Sequence, residues 1–315
     1  MKLCRFKMEA EGQIAVMSDN QWYVIDPLLA SLPDEPSVLD VLVHWHELKA
    51  PIEAALQAGQ LALVSCDAQP CLPFQPLSLR DLMLSESHAV NAARGFVGRY
   101  MPKLLPLIRL YERTGRVFPA LKPKPIWYRQ PIYYFSSHTN LVTDGQPVHW
   151  PSFSKDLDYE LELAFVLSKP LYNATHDQAL DAIGGFLVLN DFSARDVQLE
   201  EMRSGFGPQK SKHFVNGLSS IVATADDILP RVNSLSAQVK INGSQVVETS
   251  TANMQHSLAD VLVHVSRSER LYPGEVFGLG TMAGGCAMEN GHWLQSGDEI
   301  CLSIDGVGSL TNTIE

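Results

Sequence analysis

Two glutamates one residue apart, Glu160 and Glu162 in LDYELELAFVL, are the residues whose types and spacing most directly offer chemistry in this chain. In a strand, side chains alternate between faces, so positions i and i+2 share a face about 7 Å apart. Leu161, Leu163 and Phe165 then fall on the opposite face and hold the strand in a core. Two carboxylates side by side against a buried strand repel each other and are costly to desolvate. A hard divalent cation removes both costs, and oxygen ligands suit Mg²⁺, Ca²⁺ or Mn²⁺. The same spacing also fits the solvated face of an amphipathic strand. Asp191 adds a third carboxylate where the apolar run FLVLN ends, or else caps a helix formed by SARDVQ. Arg195 and Gln198 follow within two turns. Arg195 can pair with Asp191 or present its fork to a substrate carboxylate.

The elements that must position these groups show in the surrounding pattern. DYELELAFVL (158–167) and FLVLND (186–191) read as strands, and HDQALDAIGG (176–185) between them as a short helix ending in two glycines. LSAQVKINGSQVV (235–247) is a hairpin turning at Asn242-Gly243, SLADVLVHVSR (257–267) a helix capped by Ser257, and LYPGEVFGLGT (271–281) a turn and strand. The tail, GDEICLSIDGVGSLTNTI, is another strand pair. Near the N-terminus IAVM and WYVI flank SDNQ as a hairpin, and residues 37–65 carry a helical period. The proline-rich AQPCLPFQPLSLR (68–80) then reads as a linker. This divides the chain into a small N-terminal β/α domain, residues 1–72, and a main domain, residues 73–315, that carries the acidic residues. The fold class expected is α+β, mainly β.

Composition narrows the function. Lys and Arg number 24 against 35 Asp and Glu, a formal net charge of -11. That balance argues against a nucleic-acid partner or an anionic membrane surface. The five cysteines (Cys4, Cys66, Cys71, Cys286 and Cys301) are odd in number and lack the two-residue gap of a zinc knuckle, so they read as thiols in a reducing compartment. MKLCRFKMEAEGQ has no apolar core of a signal peptide, and no run approaches the ~20 apolar residues of a membrane span. The expectation is a cytoplasmic protein. His44 and His46 stand two apart in a helical stretch, where they do not face one another, which argues against a zinc site there.

LDYELELAFVL, then LNDFSARDVQ about thirty residues on, a lysine-containing loop, and PGEVFGLGTMAGG resemble, in this order, the fumarylacetoacetate hydrolase family over most of residues 80–315. The resemblance implies a mixed β-roll catalytic domain behind a small N-terminal β domain, usually as a homodimer. It implies bound Mg²⁺ or Ca²⁺ and hydrolytic cleavage of a carbon–carbon bond in an acylpyruvate or 1,3-diketone; some members instead decarboxylate, hydrate or isomerise oxo-acids. It assigns Glu160, Glu162 and Asp191 to the metal, joined by Asp81 of LRDLMLSESHAV, with His88 seven residues later as general base. Glu86 departs from the fumarylacetoacetase pattern, and either orients His88 or faces solvent. Tyr134 in QPIYYFSSH, Arg195, Gln198 and Thr281 match substrate contacts, Lys212 in GPQKSKHFVNG the active-site lysine (Lys210 is the other register), and Glu289 in CAMENG the partner of His88. Phe214-Val215-Asn216 replaces the family's Phe-Gly-Thr or Phe-Asp-Thr.

Overall fold

The apolar runs Leu161–Leu167 and Ile183–Asn190 are buried at every position. Strands of that kind belong at the centre of a sheet covered on both faces. In the computed structural model, which describes residues 1–8 and 11–315, they pair antiparallel with Phe186 opposite Phe165 and Leu189 opposite Glu162. Glu275–Gly278 lies on the other side of Leu161–Leu167, with Gly278 opposite Ala164. Ser78–Leu82 follows in parallel, with Asp81 opposite Gly278, and Tyr133–Ser136 closes that edge with Tyr134 opposite Asp81. The register therefore lines up Tyr134, Asp81 and Gly278 beside the strand that carries Glu162.

On its other flank the sheet continues through Ile221–Thr224 to Lys2–Met8, Glu11–Ser18 and Gln21–Val24. Residues Lys2 to Cys4 pair with Ala223 to Ile221, and Leu3, Val38 and Ile52 share an apolar cluster with Ala164, Val166 and Leu187. The helices of this segment are Val38–Val43, opened by a capping box on Ser37 and Asp40, and Trp45–Gln57. The proline-rich stretch read as a linker is tied into the sheet at both ends. Gln69–Cys71 pairs with Lys2–Met8, and Ser78–Leu82 begins just beyond Pro76.

A second sheet of four strands contains the hairpin Ser236–Ile241 and Ser244–Ser250, with Asn242 and Gly243 at φ 51° and 76° as its turn requires. Glu299–Ile304 and Gly308–Thr313 complete it. Its Val239, Leu302 and Leu310 share one core with Leu163, Phe165 and Val188. The fold is α+β with more strand than helix, and among the described residues no helix is long and apolar enough to cross a membrane.

Two elements differ from expectation. The helix read over 176–185 stops at Asp181, and Gly184 and Gly185 lie inside the next strand. They do not cap a helix there but permit close packing: a Cβ on Gly185 would stand 2.7 Å from Val222 Cγ1. Asp191 is not a helix cap either, because Arg195–Arg203 begins after Ala194 with no side-chain cap.

The helix Glu86–Tyr100 is capped by Ser85, whose Oγ accepts the His88 amide at 3.2 Å. It crosses the short helix Ala287–Asn290 at Gly95, where a Cβ would stand 1.8 Å from the Met288 carbonyl oxygen. His88 sits on one of these helices and Glu289 on the other, so the crossing sets their separation. Gly95→Ala is expected to lower stability by about 1–3 kcal/mol, the usual cost of overpacking, and to reduce turnover further by parting His88 from Glu289. Chemical denaturation alongside steady-state kinetics checks this, and wild-type values in both would refute it.

Candidate metal centre

Asp81, Glu162 and Asp191 each bring a carboxylate oxygen within 4.8 Å of the others. All three side chains are buried, at no more than 4% exposure. Asp81 comes from the end of its strand, Glu162 from the central strand, and Asp191 from the residue after Asn190, where the backbone leaves the sheet. Gly278 leaves the space between them: a Cβ there would lie 2.8 Å from Asp81 Oδ1 and 2.9 Å from Glu162 Oε2. Burial, reinforced by the neighbouring carboxylates, pushes Asp81 and Glu162 well above the ordinary carboxylate range. Burial raises Asp191 as well, against the opposing pull of Lys212. Asp81 Oδ1 and Asp191 Oδ1 are buried without a hydrogen-bond partner among the described residues. An all-oxygen cluster with two orphaned acceptors fits a hard divalent cation.

Glu160 stands beside this triad in a different electrostatic state. Its Oε2 accepts from Lys212 Nζ at 2.6 Å and its Oε1 from Arg195 Nη2 at 2.6 Å. Burial alone would raise its pKa, but the two cations hold it below the usual range. Lys212 also donates to Asp191 Oδ2 at 2.5 Å, so one ammonium links Glu160 to the triad. Burial would discharge this lysine, but Asp191 and Glu160 keep it protonated. Tyr134 donates its hydroxyl to Asp191 Oδ2 at 2.7 Å; burial and the charges of Asp191 and Asp81 raise the phenol, which remains a donor.

Arg195 does not pair with Asp191. Its Nε donates to Asp158 Oδ2 at 2.7 Å, and its Nη1 to Gln198 Oε1 at 3.0 Å. Arg195 and Gln198 therefore meet the site through Glu160, the guanidinium already holding two carboxylates. The Gly280 amide and the Thr281 hydroxyl approach the two oxygens of Glu162 at 3.0 and 3.4 Å, placing Thr281 against a triad member. Lys210 is exposed and lies over the Phe153 ring. At the divergent Phe214-Val215-Asn216, the Asn216 amide donates to Ser136 Oγ and the Ser137 carbonyl, both at 3.0 Å.

His88 is 4% exposed, and its Nδ1 lies 2.7 Å from Glu289 Oε1. The other Glu289 oxygen accepts the Gly284 amide at 2.9 Å. Glu86 accepts the Tyr128 hydroxyl at 2.5 Å instead of orienting His88. With Nδ1–H given to Glu289, Nε2 is the free acceptor.

Asp158 escaped the sequence reading. Fully buried, it holds Arg195 and also accepts the amides of Ala287 at 2.7 Å and Met288 at 3.1 Å, at the N-terminus of the helix that carries Glu289. One carboxylate thus connects the partner of Glu160 to the partner of His88. The signal was present, since Asp158 extends Glu160 and Glu162 by one more alternate position.

A family profile described as fumarylacetoacetate (FAA) hydrolase C-terminal matches residues 114–315. The chain belongs to the fumarylacetoacetate hydrolase family. This member is 28% identical over 187 residues to a mitochondrial oxaloacetate tautomerase of Xenopus laevis, a match covering 59% of this chain and 58% of that protein. The identity to a mitochondrial oxaloacetate tautomerase of Homo sapiens is also 28%, over 59% of this chain and 81% of that protein. The fold is that of a fumarylacetoacetate hydrolase from Exiguobacterium antarcticum (TM-score 0.73, 21% identity, 100% of this chain and 99% of that one). It is also that of a maleylpyruvate hydrolase from Sphingobium sp. SYK-6, solved with manganese(II) and pyruvate (TM-score 0.70, 18% identity, 100% and 98%). Asp81 and His88 precede the span of the family match, and the sheet and helix described above deliver them to it.

Two outcomes are expected from this geometry. Because Asp81 and Glu162 have raised pKa values, a divalent cation must displace protons from them, so Mn²⁺ affinity should climb as pH rises through that range. Calorimetry at several pH values would show it, with proton release on binding; a flat profile is the contrary result. Asp158→Asn should lower turnover by at least about tenfold while Mn²⁺ affinity changes little, because Asp158 fixes Arg195 and the Glu289 helix and does not belong to the triad. Equal loss of both would refute that assignment.

Proposed function

We propose that this chain is a divalent-metal-dependent hydrolase that cleaves a carbon–carbon bond in an acylpyruvate-type oxo-acid or 1,3-diketone. The observation that supports it best is the His88–Glu289 dyad, linked through Asp158 and Arg195 to Glu160, which Lys212 ties to the carboxylate triad. Asp81, Glu162 and Asp191 would hold Mg²⁺, Mn²⁺ or Ca²⁺, with Glu160 joining them if it exchanges a cationic partner. The cation would polarise a carbonyl and offset enolate charge.

His88 Nε2 removes a proton from water, whose oxygen adds to the carbonyl carbon. Glu289 fixes the tautomer and stabilises the imidazolium that forms. Lys212, held protonated, donates to the developing oxyanion, a contribution on the order of 3 kcal/mol. When the carbon–carbon bond breaks, its electron pair stays with the departing enolate fragment, and the proton held on His88 returns to it.

The relatives named above favour a second reading, keto–enol tautomerisation of an oxo-acid such as oxaloacetate. That reaction moves a proton between carbon and oxygen and needs no attacking water. Both readings are tested by incubating acylpyruvates, fumarylacetoacetate and oxaloacetate with Mg²⁺ or Mn²⁺, following enol absorbance and identifying products. Hydrolysis gives two fragments; tautomerisation conserves mass. EDTA should abolish either activity, and His88→Ala should reduce hydrolysis about 10²–10⁴-fold, the usual value of a positioned base. Full turnover in EDTA would sink both readings.

A further inference from the structure

The net charge of -11 conceals a strong segregation. Residues 94–129 hold nine Lys and Arg against one acid, Glu112, a local charge of +8, which leaves -19 for the remainder of the chain. Arg94 is spent on Glu112 and Arg99 on Asp156. The other seven, among them Arg109, Arg113, Arg116 and Lys122, are exposed and form no ion pair among the described residues.

Apolar side chains emerge in the same segment. In the helix Leu105–Glu112, Ile108 turns inward to a small cluster with Val90 and Leu121, anchoring the segment to the helix that carries His88. Leu107 and Leu110 point the other way, 58% and 61% exposed, and Leu104 just ahead of the helix is 47% exposed. At 100° per residue, Arg109 and Arg113 fall beside this apolar arc. Exposed leucines bordered by unpaired cations are the pattern of a helix that lies in a membrane interface, apolar side in the acyl boundary and cations at the headgroups.

We infer that the 94–129 face docks the protein on an anionic lipid surface. The negative charge of the remaining sequence does not prevent this, because at physiological salt charges are screened beyond about 8 Å, and the acids that touch the segment from outside, Asp156 and Glu86, are already bonded to Arg99 and Tyr128. A two-fold contact with a second copy through this face would set like charges against each other. A nucleic acid would use the cations but not the leucines, and the aromatic rings here are occupied: Tyr111 packs edge-on against Phe118, and Tyr128 is bonded to Glu86.

The test is co-sedimentation with vesicles of phosphatidylcholine alone or mixed with phosphatidylserine, alongside heparin binding and light scattering after gel filtration. The wild-type protein should sediment with the phosphatidylserine vesicles, not with phosphatidylcholine alone, and should detach as salt rises. The triple variant R109E/R113E/R116E should weaken partitioning by at least about tenfold. L107Q/L110Q should weaken it several-fold at unchanged charge. Failure of the wild-type protein to sediment with phosphatidylserine vesicles at low salt overturns the inference, and that arm depends on no variant. Retention on heparin with vesicle binding insensitive to the leucine variant would mark a general polyanion surface and overturn it as well. So would L107Q/L110Q splitting a larger assembly, which would make the face a self-interface.

Discussion

Three buried carboxylates within 4.8 Å of one another cannot all stay ionised unless positive charge joins them. Removing each carboxylate from water costs several kcal/mol, and mutual repulsion adds to that. Lys212 is the cation the chain itself supplies, but it reaches only Asp191 and Glu160. Among the described residues Asp81 and Glu162 have no cationic side-chain partner, and burial with the neighbouring carboxylates pushes both upward. That unmet need for charge is the constraint around which the strands are arranged.

Strand register meets the constraint through small residues. Gly278 faces Asp81 on one neighbour and Ala164 on the other, so three strands meet where no Cβ stands between the two acids. On the base side, Gly95 lets the Glu86–Tyr100 helix approach Ala287–Asn290 closely enough for His88 to reach Glu289. Asp158 joins the two halves, tying the arginine on Glu160 to the backbone of the helix that carries Glu289. Residues from before and within the family match are thereby joined in one network of contacts.

Much of this was legible in the amino-acid pattern. Period-two alternation set Glu160 and Glu162 side by side, although the regular strand begins at Leu161 and Glu160 enters only as a bridge to Cys286, and the end of an apolar run marked Asp191. Resemblance supplied Asp81, His88 and Glu289, and the structure brings the last two within 2.7 Å. Other features were hidden because they depend on contacts distant in sequence. Glycines at 184 and 185 read as a helix end because their crowding comes from Leu42, Ser168 and Val222. Arg195 read as a partner of Asp191 or a fork for substrate because its true partners, Asp158 and Glu160, lie 37 and 35 residues earlier. Net charge, a whole-chain average, hid the basic face.

Glu160 and Glu162 share a spacing and a burial but not a charge environment. Glu160 is held ionised by two cationic side chains, while Glu162 is met by a backbone amide, a hydroxyl and two other carboxylates. Environments that drive paired acids apart in pKa divide their roles. Glu162 belongs with Asp81 and Asp191, where charge is missing. Glu160 anchors Lys212, and through Arg195 it feels Asp158 and the helix behind Glu289. The E-x-E pair is therefore a junction between the carboxylate triad and the His88–Glu289 pair, and displacing either glutamate disturbs a different half.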